Sequence, residues 1–164
     1  METGGTELKG DETINDKLRA VLPPLQTLID QSEIPEEDGK RLDLDEKSHE
    51  INSVYSGFGR FSFKACIEPE GFYAELPREL TAVIKNIRIP SKLRGHGLGP
   101  KIVGAWEEGL SQQGIGIFAA TNIKDKLAVD FWRKLGYQIP QGESHKPIPY
   151  CMYKTLPAPA GPRS

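Results

Sequence analysis

The sequence has no apolar run approaching the roughly 20 residues that span a bilayer. Its first ten residues are acidic and polar where a secretory leader would be basic and then apolar. The expectation is a soluble, cytoplasmic protein with no membrane partner. Cysteine is scarce: Cys66 and Cys151 stand far apart with no pair spacing, and His49, His96 and His145 fall in three separate segments. This pattern offers no metal-ligand motif and reads as free, buried thiols with no metal. An excess of base is also missing, since the net charge is −2, so nothing global argues for a nucleic-acid partner.

What is present fits one domain. The chain of 164 residues can enclose a proper core, while a mean hydropathy of −0.46 implies solvated ends. Residues 1–10 and 158–164 read as flexible tails around a domain at 11–157. Ile14, Leu18, Val21, Leu22, Leu25, Leu28 and Ile29 recur at helical spacing, interrupted by Pro23 and Pro24. That predicts one helix before the prolines and a second beginning at them. The acid-dense stretch "EIPEEDGKRLDLDEKSHE" predicts a solvated loop or short exposed helix, with an acidic rim for a cationic substrate as the sharper reading.

From Ile51 the period becomes strand-like. "INSVYSG", "RFSFKACI", "GFYAEL" and "TAVIKNIRI" are separated by turn residues, and Phe61 and Phe63 alternate with Ser62 and Lys64. This predicts an antiparallel meander. Leu98, Ile102, Trp106 and Leu110 then form an i, i+4 stripe on a helix ending at Gly114. "IGIFAAT" is a strand, "KDKLAVDFWRKLG" a helix closed by Gly136, and "YQIP" with "IPYCMYKTL" the last strands. The order predicts an α+β fold of mixed α/β layers.

Between the meander and the striped helix lies "KLRGHGLGPKI", with glycines on alternate residues. A Walker A loop fails, because counting from Gly95 its second glycine would fall on Pro100. A dinucleotide fingerprint fails at the same residue. Glycines after a strand still let successive N–H groups converge, and the following helix adds free donors and the positive end of its dipole. Pro100 removes one donor at a first-turn position where proline fits, and Lys101 adds charge. The stretch reads either as a pyrophosphate cradle or as a tight turn packing helix on sheet.

Arg94, Gly97 and Gly99 match motif A of the GNAT superfamily of N-acetyltransferases, which the segment resembles: Arg or Gln, two residues, Gly, one residue, then Gly or Ala. "AVDFWRKLGY", residues 128–137, resembles the family's later helix signature, and "YCMYKTL" its terminal strand. The resemblance implies a GNAT-like fold, with a central mixed sheet, antiparallel meander and flanking helices. It also implies acetyl-CoA or another acyl-CoA bound by Ile87, Arg88 and Ile89 and by the loop Arg94, Gly95, His96, Gly97, Leu98, Gly99, Pro100 and Lys101. A V-shaped opening between "TAVIKNIRI" and "IGIFAAT" would free backbone groups for the ligand. Asn122 and Asp125 stand near the place of a frequent family asparagine, and Trp132 where many members carry a tyrosine acid.

That tryptophan offers only an indole N–H, so it is no acid for the CoA thiolate and reads as packing or a pantetheine wall. The family's central-strand glutamate would fall near Val83, which is apolar. An amine of pKa about 10.4 costs roughly 4–5 kcal/mol to deprotonate at pH 7. Glu79, Glu75 and Tyr73 are therefore the catalytic candidates. The implied activity is direct acyl transfer to an amine of a small molecule or of a peptide or protein, with homodimer formation left open. The competing reading is an acyl-CoA-binding module without turnover.

Overall fold

The computed structural model describes residues 3–35, 40–53, 61–69, 76–77 and 79–156. Among these residues six strands form one mixed sheet in the order β1 to β6: β1 (Leu42–Asp45), β2 (Glu50–Ser53), β3 (Ser62–Glu68), β4 (Thr81–Arg88), β5 (Ile117–Thr121) and β6 (Cys151–Thr155). Helix α1 (Thr3–Asp30) precedes the sheet, α2 (Leu98–Ser111) joins β4 to β5, and α3 (Lys126–Lys134) lies between β5 and β6. The first four strands are antiparallel, β4 and β5 parallel, and β5 and β6 antiparallel. The α+β class with mixed layers is as the sequence implies.

The proline pair does not divide the N-terminal helix. α1 runs straight through Pro23 and Pro24, reaching back to Thr3 within the stretch that composition reads as tail. A helical proline removes a hydrogen bond and crowds the preceding turn. Here Ile14, Leu18, Val21, Leu25 and Ile29 are all buried, on one stripe that continues across the prolines. Burial of each large apolar side chain is worth about 1.5–3 kcal/mol, so the stripe outweighs the local cost. Both prolines and the residues whose bonds they remove, Arg19 and Ala20, are exposed to water.

The acid-dense stretch also departs from its reading, because β1 occupies "LDLD". Leu42 is buried and Asp43 and Asp45 are exposed, a period of two hidden among charges. Gln26 of α1 closes the start of this edge strand: its Oε1 accepts from Leu42 N–H at 2.7 Å and its Nε2 donates to Lys40 C=O at 3.1 Å. "YQIP" forms a single bridge, Gln138 with Tyr153, and not a strand. Most of "GFYAEL" lies outside the described residues.

The two faces of the sheet differ. Phe63, Ala65, Ile67, Ala82, Ile84, Phe118, Ala120 and Met152 point into the main core beneath α1 and α2. Phe63 meets Trp106 edge-to-face with ring centroids 5.9 Å apart. On the other face Cys66, Val83 and Ala119 form a separate small cluster packed by Tyr153.

Helices α1 and α2 pack so closely that a Cβ on Gly109 would stand 2.6 Å from Val21 Cγ2. Val21 is stiff and fully buried, so it has nowhere to move. We predict that Gly109→Leu lowers stability by about 2 kcal/mol, net of a gain of about 1 kcal/mol in helix propensity. A thermal melt should fall by roughly 4–8 °C, and an unchanged melt would refute this packing argument. The helix ends follow the glycines as read. Ile115 N–H returns to Leu110 C=O, and Tyr137 N–H to Trp132 C=O, both at 3.0 Å around Gly114 and Gly136.

Candidate functional site

The parallel pair of β4 and β5 is short. Pairing runs from Thr81 opposite Ile117 to Ile84 opposite Ala120, then stops, although β4 continues to Arg88. The cause is visible on the opposite edge. The register of β3 against β4 shifts between Lys64 and Ala65, which face Asn86 and Ile84, so Lys85 is an extra residue in β4. Such a bulge bends a strand and increases its twist. The strands part as the sequence reading anticipates, and Ile87, Arg88 and Ile89 have no partner from β5.

Beyond the parted strands a short 3-10 turn, Ser91–Leu93, leads to Arg94, whose Nε donates to Ile89 C=O at 2.9 Å and ties the loop to the strand end. Gly95 and Gly97 then take φ of +83° and +84°, the left-handed region where a Cβ costs about 1–2 kcal/mol. A Cβ at either would meet nothing within 4 Å, so open space lies over both. Gly97 is the N-cap of α2 and no side chain caps the helix. The first hydrogen bond into it is Lys101 N–H to Gly97 C=O at 3.1 Å. Gly99 serves another purpose: its missing Cβ would sit 3.1 Å from Phe131 of α3.

Charge follows the backbone. Between Arg88 and Lys101 the chain carries Arg88, Lys92, Arg94 and Lys101 and no acidic residue, against a net charge of −2 for the whole. All four, with His96 and Pro100, are exposed, and Leu98 is half-buried. The stretch is thus locally basic and lies against the uncapped start of α2, where backbone donors and the positive end of the helix dipole are directed.

The other sequence candidates separate. Asn122 is exposed with φ of +63°, immediately after β5. Asp125 is the N-cap of α3, its carboxylate accepting from Ala128 N–H at 2.9 Å. Trp132 is buried in the main core, edge-on to Phe131 at 5.0 Å and to Tyr137 at 4.8 Å. Its neighbour Phe131 is the aromatic that reaches Gly99 and the side of the loop. Glu79 stands exposed before the start of β4, roughly 17 Å of strand from Ile84 at about 3.3 Å per residue, and so does not share the opening. Glu75 and Tyr73 lie outside the described residues.

Sequence reasoning missed the charges at the bulge. Glu50 Oε2 accepts from Lys85 Nζ at 2.6 Å, across the intervening β3. Burial pushes the Glu50 carboxyl up, but the Lys85 hydrogen bond and charge outweigh it, leaving it below the ordinary carboxylate range. The same bond holds the Lys85 ammonium above its ordinary value. Burial pushes the nearby Cys66 thiol up to about 12, so it is no thiolate nucleophile. Only the strand register could have located this group. The acidic stretch contributes Asp43, Asp45 and Glu46 to an open concavity of about 630 Å³ on the β1–β2 hairpin.

Among the described residues no group of His, Cys, Asp and Glu could hold a metal ion, and no helix is long and apolar enough to cross a membrane. Residues 65–144 match the family model described as FR47-like protein. No curated protein matches the sequence significantly. The chain is similar in structure to a mutant AtaT toxin bound to acetyl-CoA and the C-terminus of the antitoxin AtaR, at 18% identity over 58% of this chain and 59% of that one, with a TM-score of 0.44. It is also similar to Arabidopsis thaliana Naa50 in complex with a bisubstrate analogue, at 14% identity over 66% and 76% with a TM-score of 0.46. A third is the PaiA N-acetyltransferase of Thermoplasma acidophilum in complex with coenzyme A, at 10% identity over 65% and 60% with a TM-score of 0.47. The chain spans less than two thirds of the toxin, 59% of its length.

Proposed function

The chain belongs to the GNAT superfamily through its FR47-like domain at residues 65–144, and from that premise we propose that it moves an acyl group, acetyl foremost, from acyl-CoA to an amine. The observation that carries the proposal is the uncapped start of α2 behind two left-handed glycines, in a basic stretch free of acid, at the mouth of the parted strands. Open space where Gly95 and Gly97 lack a Cβ is what a diphosphate pressed against backbone N–H groups requires.

In this reading Gly95 to Gly99 supply main-chain donors and Arg94 and Lys101 supply charge for the pyrophosphate. The edge of Ile87, Arg88 and Ile89 that lacks a β5 partner receives the extended arm, and Phe131 walls its side. Acyl-CoA brings an activated thioester. The chain contributes orientation and backbone N–H groups for the oxyanion. The raised Cys66 thiol favours direct attack by the amine over an acyl-enzyme. The acceptor is an amine of a small molecule or of a peptide or protein, and the acids of the β1–β2 hairpin favour a cationic one.

A second reading, acyl-CoA binding without turnover, is favoured by the position of Glu79 away from the opening. Titration calorimetry with CoA, followed by thiol release from acetyl-CoA over a panel of amines and basic peptides, separates the two. Binding with amine-dependent release is expected; binding alone would leave the second reading standing, and no binding would remove both.

A further inference from the structure

The bulge that parts β4 from β5 is written into the pattern of β4. Ile84 is buried in the main core and Ile87 is half-buried against the same cluster. They stand three residues apart, and a regular strand turns residues at that spacing to opposite faces. Regular pairing continued from Ala65 opposite Ile84 would set Lys85 against Lys64, turn Asn86 inward opposite Phe63 and move Ile87 to the polar face opposite Ser62. Like charges directly opposed and an amide turned into the core both cost stability. The extra residue removes these conflicts, because Asn86 then faces Lys64 and Ile87 faces Phe63.

The register gives Lys85 itself no partner on β3 or β5, so its anchor has to be its side chain. On the face away from α1 and α2, Lys85 Nζ reaches over β3 to Glu50 Oε2 at 2.6 Å, and Asn86 Nδ2 donates to Ser62 Oγ at 2.5 Å. The carboxylate is the sheltered member, with 12% of its side chain exposed against 36% for Lys85. A carboxylate so enclosed is costly without its cation, and the bond therefore draws Lys85 toward β2 and away from β5. Resting on the acyl-CoA reading, we propose that Glu50 and Lys85 are positioning residues: their ion pair holds the bulge, and with it the open edge of Ile87, Arg88 and Ile89 along which the arm of acyl-CoA lies. The glycine loop has its own fixings, in Gly95, Gly97 and the start of α2. The pair thus bears on the arm and not on the diphosphate.

Calorimetry with CoA and with 3′-phospho-ADP, the nucleotide half of CoA without its arm, separates the two. Lys85→Met keeps the aliphatic stem and Glu50→Gln the shape, and each removes one charge. Both should bind CoA about tenfold more weakly, as expected for one lost hydrogen bond to a charged group, and 3′-phospho-ADP within about twofold of the wild type. Lys85→Arg, which keeps the charge and the reach, should bind CoA within about threefold of the wild type. A melt beside each titration identifies folded variants, and the double variant Glu50→Gln/Lys85→Met, which leaves no charge unpaired, carries the test if a single one does not fold. Undiminished CoA binding without the ion pair, equal weakening toward both ligands, or an arginine variant as weak as the methionine one overturns the assignment. A wild type that binds neither ligand overturns the acyl-CoA reading itself, and the assignment with it.

Discussion

A Gly97→Val chain is expected to fold and to bind CoA about a hundredfold more weakly than the wild type. At φ of +84° a β-branched residue is strongly disfavoured, although the site has room for its side chain. The backbone escapes by turning φ negative, which rotates the N–H groups at the start of α2 out of convergence. A hydrogen bond to a charged group is worth about 1.5–3 kcal/mol, and losing one or two gives roughly a hundredfold. The loop is exposed, so the stability cost stays near the local strain of about 1–2 kcal/mol. Calorimetry beside a thermal melt distinguishes a damaged site from a damaged fold. Undiminished binding in a folded variant would place the anion elsewhere.

The second large effect concerns stability. Glu107 of α2 is buried; its Oε2 accepts from the Tyr137 hydroxyl at 2.7 Å and its Oε1 from Lys154 Nζ at 3.0 Å, while Lys154 also donates to Leu135 C=O at 2.8 Å. One carboxylate thus joins α2, the turn after α3 and β6. Glu107→Ala strands a buried hydroxyl and most of an ammonium, a change that costs about 3–5 kcal/mol when both charges are fully enclosed. The Lys154 side chain retains 23% exposure, so we expect about 2–4 kcal/mol. That corresponds to a melt lower by roughly 5–15 °C. Glu107→Gln, which still offers an acceptor, should lose less; equal losses would refute the hydrogen-bond account.

The same group sets an alkaline limit. Burial, and then the charge and hydrogen bond of Glu107, hold the Tyr137 phenol above its ordinary value. The folded chain therefore keeps a proton that the unfolded chain releases near pH 10. Stability from this phenol is complete below that pH and declines as pH rises beyond it. Tyr137→Phe should flatten the decline measured by melts between neutral and strongly alkaline pH.

Local chemistry made much of the fold legible. The stripe of Ile102, Trp106 and Leu110, the alternation around Phe61 and Phe63, and the glycines at 114 and 136 act over a few residues, and the chain obeys them. Where a local rule met a longer-range one, the longer range prevailed. Pro23 and Pro24 should end a helix, but the stripe from Ile14 to Ile29 holds it against α2 and the sheet. At β1 charge concealed the alternation of Leu42 and Leu44, because those acids face water while the leucines pack inward.

The candidate site divides in the same way. Spacing alone discarded the nucleoside-triphosphate and dinucleotide loops, and the alternate glycines with Arg94 marked the candidate backbone cradle. Which of two adjacent aromatics borders it depended on the rotation of α3, which buries Trp132 and presents Phe131 to Gly99. Acid and base chemistry was the least legible part. The sequence pointed to Glu79, but Glu50 and Lys85 meet only through the register of β2, β3 and β4, and a one-residue shift of register would turn either of them to the other face. The sequence by itself determined α2 and α3, the alternating strand around Phe63 and the glycine-rich turn before α2, because those are properties of neighbouring residues. Only the tertiary structure decided where the sheet opens and which side chains share its faces, because a bulge at Lys85 and the pairing of the strands are settled by packing across the whole core.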